Sequence, residues 1–359
     1  FLDKNSNKVP NPAAARRSHR NAVYLSLAPG MKSRRQSHEL FRRIESRCRQ
    51  HRRVRAHSSS PAAAGSSASR APLPPPRSLL PPPLFSELFD VDVNLTHEAF
   101  KGDWREQVRL AAVAGVSRAI VPGSTLADSR RALALATDSS GCGVGLWTTA
   151  GVHPFNASSM DGVGAAMDDL RAQIGSSGGR VVALGECGLD YSDGFPPAEA
   201  QLVWFEHQLD LACELKTPLF LHIRVSAAFD DARRLLDARA AALPPVLVHC
   251  FTGGEDELRW CLDSGFHVSV SGVVCKKERG AELRRILPLI PLAKLMVETD
   301  APYLGFPNCR AGHPKPKKQF PNVASALPLV VDAVARAMKL PAADVAAATS
   351  ANARRFFGV

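Results

Sequence analysis

The sequence predicts an α/β fold, a closed (β/α)8 barrel over residues 87–359, behind a disordered leader over 1–86. Three observations predict it: eight short apolar runs between Phe89 and Thr299, stretches of helical spacing between and after them, and an abrupt change of composition before Phe89. Alternating strands and helices with apolar strands imply a parallel sheet covered by helices. Eight such units point to a barrel rather than an open sheet. No GxGxxG follows the first run, which argues against a dinucleotide-binding fold.

The leader carries 17 Lys and Arg against Asp3, Glu39 and Glu45, whereas the remainder holds 28 basic and 31 acidic residues. The net charge of +11 therefore belongs to the leader, and any affinity of the acidic barrel for a polyanion must come from a local patch. The runs "SSSPAAAGSSAS" and "APLPPPRSLLPPP" offer little apolar surface to offset ordering entropy. Met31 opens an Arg- and Ser-rich, acid-poor stretch of the kind found in organelle transit peptides, which would set residues 1–30 upstream of the start. On that reading the compartment is a chloroplast or mitochondrion; an ordinary basic tail would leave the protein in cytoplasm or nucleus. Eight scattered cysteines form no CxxC pair, against both a structural zinc site and a disulfide framework. No run approaches the roughly 18 apolar residues of a membrane span.

In chain order, the strands are expected at 89–93, 118–123, 145–152, 180–186, 218–222, 245–249, 267–272 and 294–299. Helices are expected at 104–114, 126–137, 201–214, 227–240, 255–264 and 282–287, with two closing helices near 325–338 and 342–355.

Five of these strands finish in an ionisable group: His153 just after the third, Glu186 ending the fourth, His222 the fifth, His249 the sixth, and Asp300 just after the eighth. The strand C-termini of a barrel open on one face, so these side chains are expected to converge. Imidazole and carboxylate suit Zn, Mn or Mg-type ions, and a carboxylate can bridge two of them. Each residue alone has a structural alternative, a satisfied polar group or a helix cap, and the His-Pro turn gives His153 one of its own. Four together are costly to bury without something to coordinate. Around the same mouth, Arg224 is placed to pair with a phosphate, while Lys276, Lys277, Arg310, Lys315, Lys317 and Lys318 form either a binding rim or a solvated face. Phe155, Tyr191, Phe195, Tyr303 and Phe306 lie on the adjoining loops, where aromatics either pack or stack on unpaired bases. Cys187, Cys250 and Cys275 are read as packing residues, and Gly185 and Gly188 as tight turns beside Glu186.

The segments "FDVDVNLTHEAF", "GECGLDYSDGF", "PLFLHIR", "VHCFTGG" and "SGVVCKKERGAELRRILPLIPLAKLMVETDAPYL" resemble, in order, the signatures of the TatD family of metal-dependent deoxyribonucleases. That resemblance implies a TIM-type barrel of the metal-dependent hydrolase superfamily, with metal ligands at Glu186, His222, His249 and Asp300. It implies a nuclease, a 3′-5′ exonuclease on single-stranded DNA and also on RNA, dependent on Mg2+ with Mn2+ or Zn2+ as substitutes, one or two ions per site. Glu186 and Asp300 are the expected catalytic residues, and Arg224, His153 and Tyr303 the expected substrate contacts. Many members open with D-x-H-x-H, whereas this chain reads Asp90-Val91-Asp92-Val93-Asn94, as in the branch that lacks both histidines. Asp92 is then either an extra ligand or a strand-end polar residue, and a second metal is in question. A hydrolase of esters or amides, such as an aminoacyl ester on RNA, would serve the same ligands; a non-catalytic scaffold would be expected to have lost them.

Overall fold

The computed structural model of the chain describes residues 39, 42–47, 49–50, 85, 87–159, 161–310, 313 and 321–359. Eight parallel strands follow one another in sequence order: β1 Leu88–Asp90, β2 Val116–Val121, β3 Gly145–Ala150, β4 Val181–Asp190, β5 Leu219–Arg224, β6 Val246–Val248, β7 His267–Val270 and β8 Leu295–Val297. The sheet returns on itself where Val91 N–H donates to Val297 O at 3.2 Å, Asp300 N–H to Asp92 O at 2.9 Å and Asn94 N–H to Ala301 O at 2.8 Å. The expected barrel is thus the observed one, with β1 and β8 meeting at a seam.

The helices wrap the barrel: α1 Trp104–Ala114, α2 Leu126–Thr137, α3 Val163–Ser176, α4 Ala198–Leu215, α5 Ser226–Asp237, α6 Glu255–Asp263, α7 Ala281–Ile286, α8 Leu327–Met338 and α9 Ala342–Phe357. Local chemistry sets their ends. Thr125 accepts from Asp128 N–H to start α2, and Gly115, at φ 104°, turns α1 into β2. None of the helices among the described residues is long and apolar enough to cross a membrane.

Two apolar layers result. Leu, Val, Ile and Ala on the outer faces of the strands pack against the helices. Inside, Phe89, Ile120, Ala183, Phe220, Leu247 and Met296 meet Phe356 and Phe357 from the end of α9. The barrel interior is a packed core and α9 closes its lower end. Phe220 lies over this plug, 6.5 Å from Phe357, and stacks at 4.9 Å beneath His249, so the floor of the upper pocket is aromatic.

Three differences from expectation have physical causes. Helix α3 was not anticipated, because Gly162, Gly164 and Gly175 dilute its periodicity. β4 runs four residues past Glu186, since Gly188 pairs with His222 and Asp190 with Arg224, so Gly188 extends the strand instead of turning it; Glu186 and His222 therefore lie within their strands rather than ending them. Within the leader, residues 42–47 and 49–50 are helical, Ile44 is buried, and Arg47 Nε donates to Val113 O at 2.9 Å, near the C-terminal end of α1. The remainder of the leader, apart from Glu39 and Phe85, lies outside the described residues.

Candidate metal centre

Side chains two residues apart on a strand share a face. On β4 that rule aligns Glu186, Gly188 and Asp190, and on β5 His222 and Arg224. The two strands approach closely: a Cβ on Gly188 would lie 2.0 Å from His222 O, and one on Gly185 2.3 Å from Phe220 O. Both glycines also have positive φ, 137° and 138°, so side chains are excluded on two counts. This approach brings Glu186 against His222.

Glu186 Oε1 is the focus. It lies 2.9 Å from His222 Nδ1, 2.7 Å from His249 Nε2 and 3.3 Å from His153 Nε2. Three of the four expected ligands therefore meet at one oxygen, and His153 joins them. The far nitrogen of His222, Nε2, is held by Asp190 Oδ2 at 3.0 Å. The far nitrogen of His249, Nδ1, approaches Asp92 Oδ2 at 3.1 Å and Glu298 Oε1 at 3.6 Å, though neither contact has hydrogen-bond geometry. Glu298 Oε2 accepts from Ser269 at 2.6 Å.

Asp300 stands one link away. Asn94 Nδ2 donates to Asp300 Oδ1 at 3.1 Å and to Asp92 Oδ1 at 3.2 Å, joining the two carboxylates across the seam. Below them Asp90 accepts from Thr299 N–H at 2.8 Å and from its hydroxyl at 2.7 Å, which fixes the strand ends that carry both.

Burial dominates the electrostatics. It raises Asp90 to about 8, and with the Glu298 charge raises Asp300 to about 7; Asp92 is also pushed well up by burial and by Asp300. Burial works against the charge of Glu186 too, but His153 and His249 hold it well below the usual range. His222 is lowered to about 4 by burial, then by Arg224 and His153, and is neutral at pH 7. A neutral His222 that donates Nε2–H to Asp190 has a lone pair on Nδ1, aimed at a carboxylate oxygen 2.9 Å away. Two electron pairs face each other there, and Nε2 of His249, whose proton affinity Glu186 and Asp92 push well above the usual range although burial opposes it, lies 3.2 Å from Nδ1, with His153 Nε2 at 3.3 Å. A cation resolves that opposition, and it would also give the orphaned Asp92 Oδ2 and Glu298 Oε1 a nearby countercharge. The donor set of carboxylate and imidazole fits a divalent metal ion. Two groupings of ligand atoms lie within reach, His153–Glu186–His222 and Asp92–Glu186–His249, and Glu186 is common to both.

At the rim, Arg224 ends β5, half-buried, its charge supported by Asp300 and Glu186 although burial opposes it. Tyr303 is 40 % exposed and meets His97 edge-on at 5.2 Å. Phe155 is 58 % exposed. Phe306 is buried and packs against Gly272, and Tyr191 donates its hydroxyl to Asp231 at 2.9 Å, so these two are packing residues rather than stacking platforms. Lys276 is half-buried, Arg310 donates to Pro321 O, and Lys315, Lys317 and Lys318 lie outside the described residues. Cys187 and Cys250 are buried with thiols raised by that burial, in keeping with packing.

Asp190, Asn94, Glu298 and Asp90 were missed as site residues. The signal for Asp190 was present: it follows Glu186 at i+4, which places it on the same face once β4 is read to its true end.

The sequence model of the TatD related DNase family matches residues 89–358. The chain belongs to that family. Among TatD-family relatives, the 3′-5′ ssDNA/RNA exonuclease TatD of Cronobacter sakazakii is 41% identical over 270 residues, 75% of this chain and 97% of the relative. The enzyme of the same name from Escherichia coli K12 is 39% identical over 272 residues, 76% of this chain and 99% of the relative. Among solved structures, a TatD homologue from Escherichia coli superposes with a TM-score of 0.65 at 26% identity, covering 76% of this chain and 98% of that one. A TatD family hydrolase from Entamoeba histolytica, at 23% identity and a TM-score of 0.65, shares the fold over 76% of this chain and 98% of its own.

Proposed function

We propose that this TatD-family chain is a divalent-metal-dependent nuclease that trims single-stranded DNA, and RNA, from the 3′ end. One observation carries the metal reading: the unprotonated Nδ1 of His222 faces Glu186 Oε1 at 2.9 Å with His249 Nε2 beside both. Glu186, His222 and His249 would hold the ion, with Asp300 closing the site from β8. Mg2+ is the ion that suits phosphate substrates, Mn2+ or Zn2+ being chemically compatible with the same donors. Glu186 is shared by both ligand groupings, as a carboxylate bridging two ions would be.

When bound, such an ion polarises a phosphoryl oxygen and lowers the pKa of water. The side chains do the rest. Asp300, whose carboxylate burial and the Glu298 charge make more basic than usual, accepts in its ionised form the proton of the attacking water, while Asn94 fixes its orientation. Arg224 pairs with a non-bridging phosphate oxygen, and Tyr303 offers a ring at the rim. The relatives named as 3′-5′ ssDNA/RNA exonucleases support the substrate class.

The test is incubation of the Mg2+-supplemented protein with 3′- and 5′-labelled single-stranded DNA, RNA and a panel of small esters. Stepwise loss from the 3′ end is expected, and at least a 100-fold loss of rate in Glu186→Ala and His222→Ala with unchanged circular dichroism. Intact oligonucleotides alongside brisk ester turnover would reverse the assignment.

A further inference from the structure

Three imidazoles surround Glu186 Oε1, but they are not equivalent. His222 has its outer nitrogen hydrogen-bonded to Asp190 and so directs a lone pair inward, while the outer nitrogen of His249 lies against Asp92 and Glu298, the carboxylates that would keep its proton there if Nε2 took a metal. His153 has the opposite arrangement. Its Nδ1 caps the short helical turn Pro154–Asn156 by accepting the backbone N–H of Phe155 at 3.1 Å. A backbone N–H can only donate, so Nδ1 is the bare nitrogen and the ring's proton sits on Nε2. That N–H points into the pocket, 3.3 Å from His222 Nδ1 and 3.3 Å from Glu186 Oε1. A nitrogen committed to donating is not a metal ligand, even though distance alone places His153 among the ligand atoms.

The turn is rigidly seated. His153 N–H and Asn156 Nδ2 both donate to Ser124 O, at 3.0 and 2.8 Å, tying it to the end of β2. From the pocket outward, aromatic rings follow in a row: His222 to His153 at 4.5 Å, His153 to Phe195 at 6.1 Å, and Phe195 to Phe155 at 5.4 Å. The row ends in the exposed ring of Phe155, the residue whose N–H sets the tautomer of His153.

We propose that residues 153–155 form a nucleotide subsite in which His153 Nε2–H donates to a phosphoryl oxygen at the scissile phosphate and Phe155 stacks on the base of an adjoining nucleotide. The proposal rests on the nuclease reading above and deepens it. In this role His153 transfers no proton; it stabilises charge on the phosphoryl oxygen, and removal of one such donor costs about 10²-fold or more in kcat. A base stacked on an aromatic ring contributes about 1–3 kcal/mol, or roughly 5- to 150-fold in affinity.

Calorimetric titration of the chelator-treated full chain with Mn2+ separates donor from ligand. His153→Ala and His153→Gln are expected to keep the wild-type Mn2+ affinity within about threefold, whereas His222→Ala loses it. On single-stranded DNA, kcat falls about 100-fold in His153→Ala and is partly restored in His153→Gln, whose amide also donates. Phe155→Ala raises KM about tenfold with little change in kcat. Placing an abasic residue at one of the two positions flanking the scissile bond raises the wild-type KM similarly, and the two losses do not add. Mn2+ binding weakened in His153→Ala as much as in His222→Ala would make His153 a ligand and overturn the donor role. Additive losses with Phe155→Ala, or an unchanged KM, would overturn the base contact. A wild-type chain that binds Mn2+ but leaves every oligonucleotide intact would instead sink the nuclease reading itself.

Discussion

At the scale of single residues, what distinguishes this pocket is the commitment of the outer nitrogens of His222, to Asp190, and of His153, to the Phe155 N–H. Asp190 fixes Nε2 of His222 at 3.0 Å and so decides that Nδ1 faces Glu186. Asp190→Asn replaces a charged acceptor by an amide that can also donate, releasing the tautomer. Outer partners of this kind typically carry 10- to 100-fold in metal affinity, so Mn2+ binding by Asp190→Asn is expected to weaken by about that factor with the fold retained. Calorimetry showing wild-type affinity would remove Asp190 from the site. Glu186, His222 and His249 were legible beforehand because ionisable groups at the ends of apolar strands have few inexpensive explanations. Asp190 was not, because Gly188 resembles a strand terminator until the closeness of β4 to the His222 carbonyl is known. Asp300 was legible in position but not in linkage: its tie to Asp92 through Asn94 depends on a contact 206 positions apart.

At the scale of elements, one part of the pH response lies at the lower end of the barrel. His267 begins β7 and meets Phe356 of α9 edge-on at 5.2 Å. Burial, with Lys294 and Arg355 nearby, lowers its pKa from 6.5 to about 4. Below pH 6.5 the unfolded chain gains a proton that the folded chain refuses, so stability declines as pH falls from about 6.5 towards 4 and levels off below. Urea midpoints at pH 7.5, 5.5 and 4.5 are expected to show a shallower decline for His267→Gln than for the parent, and parallel declines would refute this. The strands and most helices were readable from periodicity because each buries one continuous apolar face. Helix α3 was not, since its glycines and its short apolar stripe resemble a loop.

At the scale of the whole molecule, among the described residues of the leader Ile44, Arg47 and, at its far end, Phe85 meet the barrel. Ile44 is buried and Arg47 donates to Val113 O at the foot of α1, away from the pocket. Burial of one isoleucine with one hydrogen bond is worth about 2–4 kcal/mol. Deletion through residue 50 is therefore expected to lower the melting temperature by roughly 4–8 °C while leaving turnover intact, and deletion through residue 38 to change neither. Equal melting curves for the two truncations would show that the contact contributes nothing. Composition alone could not reveal this: a single apolar side chain in an Arg-rich stretch gives no periodic signal.

The seam between β1 and β8 also bears on how the enzyme comes into being. One wall of its pocket is assembled from the beginning and the end of the domain, and α9 plugs the lower opening. A chain that stops short of the seam has its imidazoles but not this closure, and by the nuclease reading proposed above it is expected to lack activity. We expect stalled nascent chains ending before residue 300 to spare added oligonucleotides, and trimming by such chains would show that the wall is dispensable.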